Sequence, residues 1–159
     1  MAYEMKILSA HRLPDMTADY ARSARERGLE VIICGAGMAA HLAGAVAAQT
    51  TLPVIGVPLT SGAPSGVDAL YATVQVPSGI PVATVAIDGA ANAAYLACQV
   101  LALRDKSLFR RLENAQWKNH DKILRATIPS HIMVPAGAVI RSQEDARFFR
   151  TTHVKEQNY

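Results

Sequence analysis

Two clusters in this chain set reactive side chains among small ones. Ser9-Ala10-His11-Arg12 places a histidine beside an arginine directly after the apolar run Met5-Lys6-Ile7-Leu8. Gly35-Ala36-Gly37-Met38-Ala39-Ala40-His41-Leu42 follows the β-branched run Val31-Ile32-Ile33-Cys34 and leads into an Ala-rich segment. An imidazole exchanges protons near neutral pH, so a histidine at a strand end is suited to general acid–base work. A guanidinium next to it suits an anionic ligand, most naturally a phosphate held by its fork of N–H donors. His11 reads as functional, with a satisfied structural histidine as the alternative. His41 sits on the first turn of a helix, and spacing alone leaves its role open. His120, His131 and His153 lie in a polar region and read as surface residues. Glycines at 35 and 37 let a ligand approach the backbone with no Cβ in the way.

Several chemistries are excluded or weakened by what is missing. Gly35-x-Gly37-x-x-Ala40 fits the loose dinucleotide pattern, but that site needs an acidic residue about 20 positions on. No Asp or Glu occurs between Val31 and Val67. Neither a phosphate-binding G-x-x-x-x-G-K-[ST] loop nor a G-x-S-x-G nucleophile elbow is present. Cys34 and Cys98 are far apart in apolar contexts and form no metal-spaced set, so both read as buried free thiols and no metal is expected.

These clusters need a scaffold that brings strand ends together. Strands are expected at 5–8, 31–34, 52–59 and 81–87. Helices are expected from Pro14 to Gly28, over the Ala-rich segment to Gln49, over 68–75, from an Asn92 cap to Leu103, and over 107–126. In the first helix Met16, Tyr20 and Ala24 share a face. Strands that are apolar on both faces and alternate with helices form a parallel sheet covered on both sides. Right-handed crossovers then gather the strand-end loops, including 60–66, on one edge.

Charge is unevenly placed along the 159 residues. Residues 1–30 balance five basic against five acidic side chains, and between Val31 and Leu103 only Asp68 and Asp88 are charged. Residues 104–159 carry eleven Lys or Arg against six Asp or Glu. So long a stretch with two charges is a poor soluble surface, and burial against further copies of the chain accounts for it. Gly, Pro and Thr interrupt the stretch before any run of about 20 apolar residues, so no membrane span is expected. The basic C-terminal part lacks interleaved aromatics and any reader motif, so no nucleic-acid partner is expected. No targeting segment is visible, which makes cytoplasm the default location.

Five motifs together resemble one family. They are Ser9-Ala10-His11-Arg12-Leu13-Pro14-Asp15, the Gly35–Leu42 loop, Pro53-Val54-Ile55-Gly56-Val57-Pro58, the stretch from Gln75 to Ala86, and Asn92-Ala93-Ala94. In this order and spacing they are similar to the bacterial PurE family, the N5-carboxyaminoimidazole ribonucleotide mutases of purine biosynthesis. The resemblance covers roughly residues 3–126. It implies a flavodoxin-like three-layer α/β/α subunit with a parallel sheet, in a homo-octamer with active sites between subunits. It implies carboxylate transfer from N5 to C4 of an aminoimidazole ribonucleotide, a phosphorylated substrate, with no metal or organic cofactor. His11 is then the proton-transfer residue. Ser9 and Arg12 help hold the ribose-phosphate end, Ala10 is a further substrate-binding residue, and Gly35, Ala36, Gly37, Met38, Ala39, His41 and Leu42 lie against the base and the migrating carboxylate. Met38 stands where many members have glycine.

Two departures accompany the resemblance. The family's first βα unit, with its Gly-Ser-x-Ser-Asp loop, has no counterpart, so the domain expected over 1–126 is N-terminally short and lacks a phosphate wall. Residues 127–159 form an extension, whose 131–140 run is one candidate for filling the absent strand's position. A truncated chain, or a homologue that kept the assembly but lost catalysis, would equally produce these departures. Three functions are therefore weighed: the mutase, the related carboxylase that uses aminoimidazole ribonucleotide and CO2 directly, and a catalytically impaired oligomeric scaffold or nucleotide-binding homologue.

Overall fold

Two short β-branched runs become the centre of the sheet in a computed structural model of the chain, which describes residues 2–62 and 64–127. β1 (Ile32–Gly37) and β2 (Val54–Leu59) pair in parallel, and β2 carries the short β3 (Ala83–Thr84) on its other edge, giving the order β1-β2-β3. Around them run α1 (Pro14–Ser23), α2 (Leu42–Ala47), α3 (Val67–Val74) and α4 (Ala90–Ala102). Side chains alternate across the pleat. Ile32, Cys34 and Val54 face a cluster with Ala21 and Ala24 of the α1 region and Ala43 and Val46 of α2. Ile55 and Val57 face the other way, onto Ala93 and Ala97 of α4. The result is the expected α/β/α layering. Full burial of a side chain such as Ile55 stabilises the fold by about 1.5–3 kcal/mol.

Details of the sequence reading need correction. β1 extends three residues beyond the expected Cys34, because its pairing continues through Gly35↔Val57, Ala36↔Pro58 and Gly37↔Leu59. The expected strand 81–87 shrinks to two ladder residues, although the Val85 and Asp88 amides still donate to the Gly56 and Pro58 carbonyls. α4 starts at Ala90, so Asn92 lies inside its first turn and does not cap it. α1 stops at Ser23, short of the expected Gly28; it turns Thr17 and Ala21 inward and leaves Met16 exposed. The turns beyond α1 close on Gly28 at φ +84°, with Leu29 N–H bonding the Ala24 carbonyl and Gly28 N–H that of Arg25. That is a left-handed helix stop of the kind glycine favours.

The largest correction is at the N-terminus. Met5–Leu8 forms no strand and pairs with none, and Met5 and Ile7 are 82% and 97% exposed. Glu4 holds the segment to Arg27 at 3.0 Å. The Tyr20 hydroxyl and the Arg27 guanidinium hold the Glu4 carboxyl below its usual range. Residues 2–8 and β1 line a cavity of about 890 Å3, with Tyr20, Leu42 and Val46 on one layer and Ala97 and Leu101 on the other. Among the described residues no strand pairs with 5–8.

The chain divides into two units, Met1–Arg104 and Asp105–Tyr159. In the second, α5 (Lys106–Thr127) matches the expected helix to within one residue at each end. The Asp105 carboxylate accepts the Ser107 and Leu108 N–H groups at 2.8 and 3.0 Å and caps it. Trp117 and His120, three apart, meet edge to face at 5.7 Å. The expectation for 131–140 lies outside the described residues. Among the described residues no helix is long and apolar enough to cross a membrane.

Candidate active site

The turn after Leu8 is built by its own serine. Leu13 N–H bonds the Ser9 carbonyl at 2.8 Å, and Arg12 N–H bonds Ser9 Oγ at 3.3 Å. Ser9 and Ala10 are half-buried by this winding, while His11 and Arg12 project outward and are exposed. Among the described residues the Arg12 guanidinium meets no acidic partner, which leaves its donors available to a ligand.

The second cluster splits between strand and loop. Gly35, Ala36 and Gly37 belong to β1, and only Met38–His41 forms the loop before α2, which Leu42 opens. Two successive three-residue turns wind it, with Ala40 N–H on the Met38 carbonyl and His41 N–H on that of Ala39, both at 2.8 Å. Close approach calls for a glycine at position 37. A Cβ on Gly37 would stand 2.4 Å from Ser61 Oγ, and one on Gly35 would touch the Leu59 side chain.

These two clusters meet. His11 Nε2 and His41 Nδ1 are 3.0 Å apart, with their rings edge to face at 5.1 Å between centroids. One ring must donate and the other accept, so while the bond stands a single proton lies between the facing nitrogens. Thirty residues separate the two histidines in the chain, and the shared strand-end edge brings them into contact. The two rings therefore lie side by side at that edge. Ala39 and Met38 line the exposed lip of the loop.

Met38 adopts φ +56° and is 63% exposed. A left-handed conformation costs an L-residue roughly 1–2 kcal/mol, part of which glycine's greater chain entropy cancels. Met38→Gly is therefore expected to raise stability by about 0.5–1 kcal/mol in a urea titration. An equal loss would mean that the methionine side chain has packing value the loop geometry does not reveal.

The loop after β2 supplies a third wall, and its anchor was not legible in the sequence. Asp88, at φ +56°, accepts the Thr60 N–H at 2.9 Å and the Thr60 hydroxyl. Those two bonds hold the Asp88 carboxyl below its usual range. The available signal was that Asp88 is one of two charged residues in Val31–Leu103. Burial pushes the Cys34 thiol up to about 12, so it stays protonated and takes no nucleophilic role at neutral pH. Among the described residues no group of three His, Cys, Asp or Glu is placed to hold a metal ion.

A donor–acceptor histidine pair, a free guanidinium and an apolar small-residue floor suit proton transfer on an anionic substrate. The chain is 57% identical over 111 residues to the N5-carboxyaminoimidazole ribonucleotide mutase of Pyrococcus abyssi, covering 70% of this chain and 64% of that protein. It is 51% identical over 127 residues to the protein of the same name from Bacillus subtilis, covering 79% of this chain and 78% of that one. The crystal structure of Treponema denticola PurE superposes with a TM-score of 0.64 at 28% identity, covering 74% of this chain and 73% of that one. The family model described as AIR carboxylase matches residues 1–122. The chain belongs to the AIR carboxylase family.

Proposed function

We propose that this chain is an isomerase of de novo purine biosynthesis, moving a carboxylate from N5 to C4 of N5-carboxyaminoimidazole ribonucleotide. The observation that carries the reading is the His11–His41 hydrogen bond at the strand-end edge. It gives one mobile proton a defined place beside an apolar floor. In the first step the carbamate C–N bond breaks, the electron pair stays on N5, and N5 takes a proton from His11 as CO2 is released. In the second, the C4 electrons form a bond to that CO2, and C4 returns its proton to His11. The proton count closes, as an isomerisation requires. The small side chains of Gly35, Ala36, Gly37 and Ala39 suit a pocket that must keep water from released CO2. Arg12, with Ser9 and Ala10 shaping its turn, takes the phosphate. Met38, His41 and Leu42 bound the base.

The chain works as a homo-oligomer, an octamer by the family resemblance, in the cytoplasm. α3 supports assembly. It buries Ala69 and Thr73 yet leaves Val67, Tyr71 and Val74, spaced at i, i+4 and i+7, largely exposed. A helix apolar on both faces is suited to a second contact surface.

The family description itself favours a second reading, direct carboxylation of aminoimidazole ribonucleotide by CO2. Turnover of the unlabelled carbamate substrate in 13C-bicarbonate separates the two. The mutase reading expects product with unlabelled carboxylate at early times. Product that carries 13C at the bicarbonate enrichment would establish the carboxylase instead, and a folded oligomer that forms no product would establish the scaffold.

A further inference from the structure

The side chains of the floor described above lack one thing that a migrating carboxylate can use, a donor that stabilises its charge without protonating it. Gly35–Ala40 carry only apolar or absent side chains. The Thr60 hydroxyl is committed to Asp88. The next hydroxyl, Ser61 Oγ, is shielded from solvent and has no hydrogen-bond partner among the described residues. It is seated directly on Gly37, whose missing Cβ leaves the room it occupies. The Asp88 clamp on Thr60 fixes the backbone one residue before it. Leaving a buried hydroxyl unpaired is costly, so a position built this tightly around one is a position where a ligand can complete the bond. Thr84 Oγ1 and one oxygen of Asp68 are also unpaired, but neither lies against the Gly35–His41 segment in any observed contact.

We propose that Ser61 is a substrate-contacting residue whose hydroxyl donates a hydrogen bond to the carboxylate of the carboxylated aminoimidazole ribonucleotide. The proposal rests on the carboxylate-transfer reading. A neutral donor fits the chemistry, because it can follow the carboxylate from N5 to C4 without competing with His11 for the proton. It also makes Ser61 a discriminator between the carboxylated nucleotide and its decarboxylated parent.

Binding of the two ligands to wild type and Ser61→Ala, measured by calorimetry, tests this. Ser61→Ala is expected to weaken binding of the C4-carboxylated nucleotide about 10- to 100-fold, the range for a hydrogen bond to a charged group. Affinity for aminoimidazole ribonucleotide, which has no carboxylate, is expected to stay within about twofold of wild type. Removing an unsatisfied hydroxyl is expected to leave the melting temperature unchanged or slightly raised, which checks folding. Equal weakening of both ligands, or of neither, overturns the proposal and reduces Ser61 to a packing residue on Gly37. Wild type that binds neither ligand would overturn the carboxylate-transfer reading itself, and the Ser61 role with it.

Discussion

His11→Asn is expected to lower the rate of carboxylate transfer by roughly 10²–10⁴-fold, the usual contribution of a positioned general acid–base. Asparagine keeps a polar group of similar reach and can still hydrogen-bond His41, so the turn Ser9–Leu13 and the floor stay in place. What it loses is a proton that can be given and taken near neutral pH. Substrate affinity should change little, and the loss should fall on kcat. Because His11 is exposed and makes one observed side-chain hydrogen bond, global stability should change by no more than about 0.5 kcal/mol. His41→Asn is the matched comparison, read under saturating substrate. Its ring holds His11 and, on the proposed reading, bounds the base, so a smaller loss, on the order of 10-fold, is expected. A larger loss from His41→Asn than from His11→Asn would reverse the two roles.

Arg12→Ala is expected to raise KM by about 10- to 100-fold with kcat within a fewfold, the signature of lost ground-state binding. The guanidinium is exposed and free of acidic partners among the described residues. Nothing in the fold is left unpaired by its removal, so the loss reports on the ligand alone. Arg12→Lys keeps the charge but not the planar fork, and an intermediate KM is expected if the ligand is a phosphate gripped by two parallel bonds. Steady-state kinetics over a range of salt would check this, because the wild-type advantage should shrink as ionic strength screens an exposed contact. An Arg12→Ala enzyme with wild-type KM would place the phosphate elsewhere on the strand-end edge.

Much of the scaffold was legible because it follows from short-range rules. A β-branched run ending in small residues gave β1 and β2, glycine at 28 gave the close of the turns after α1, and the polar/apolar period gave α5. The meeting of His11 with His41 followed only as a shared edge. The bond between them depends on two consecutive tight turns over Met38–His41, which no local propensity encodes. The length of β1 was misjudged for a related reason. Gly35 and Gly37 look like loop residues in isolation, but in the fold the ladder continues through both, and the missing Cβ of Gly37 lets Ser61 close in. Met5–Leu8 has a strand's composition without a strand's partner, so its expected state depended on a neighbour that composition cannot supply. The Asp88–Thr60 clamp escaped notice because the two residues are 28 positions apart and neither belongs to a recognisable motif.

The central claim is that the His11–His41 pair, on a floor of small residues, transfers a carboxylate within one nucleotide. The most direct test is a single-turnover reaction of the assembled protein, in molar excess, with N5-carboxyaminoimidazole ribonucleotide, followed by NMR of the imidazole C4 position. The account predicts that the C4 proton signal disappears as the C4-carboxylated product forms in equal amount. A folded, assembled protein that leaves the C4 proton in place, or that yields only the decarboxylated nucleotide, would contradict it.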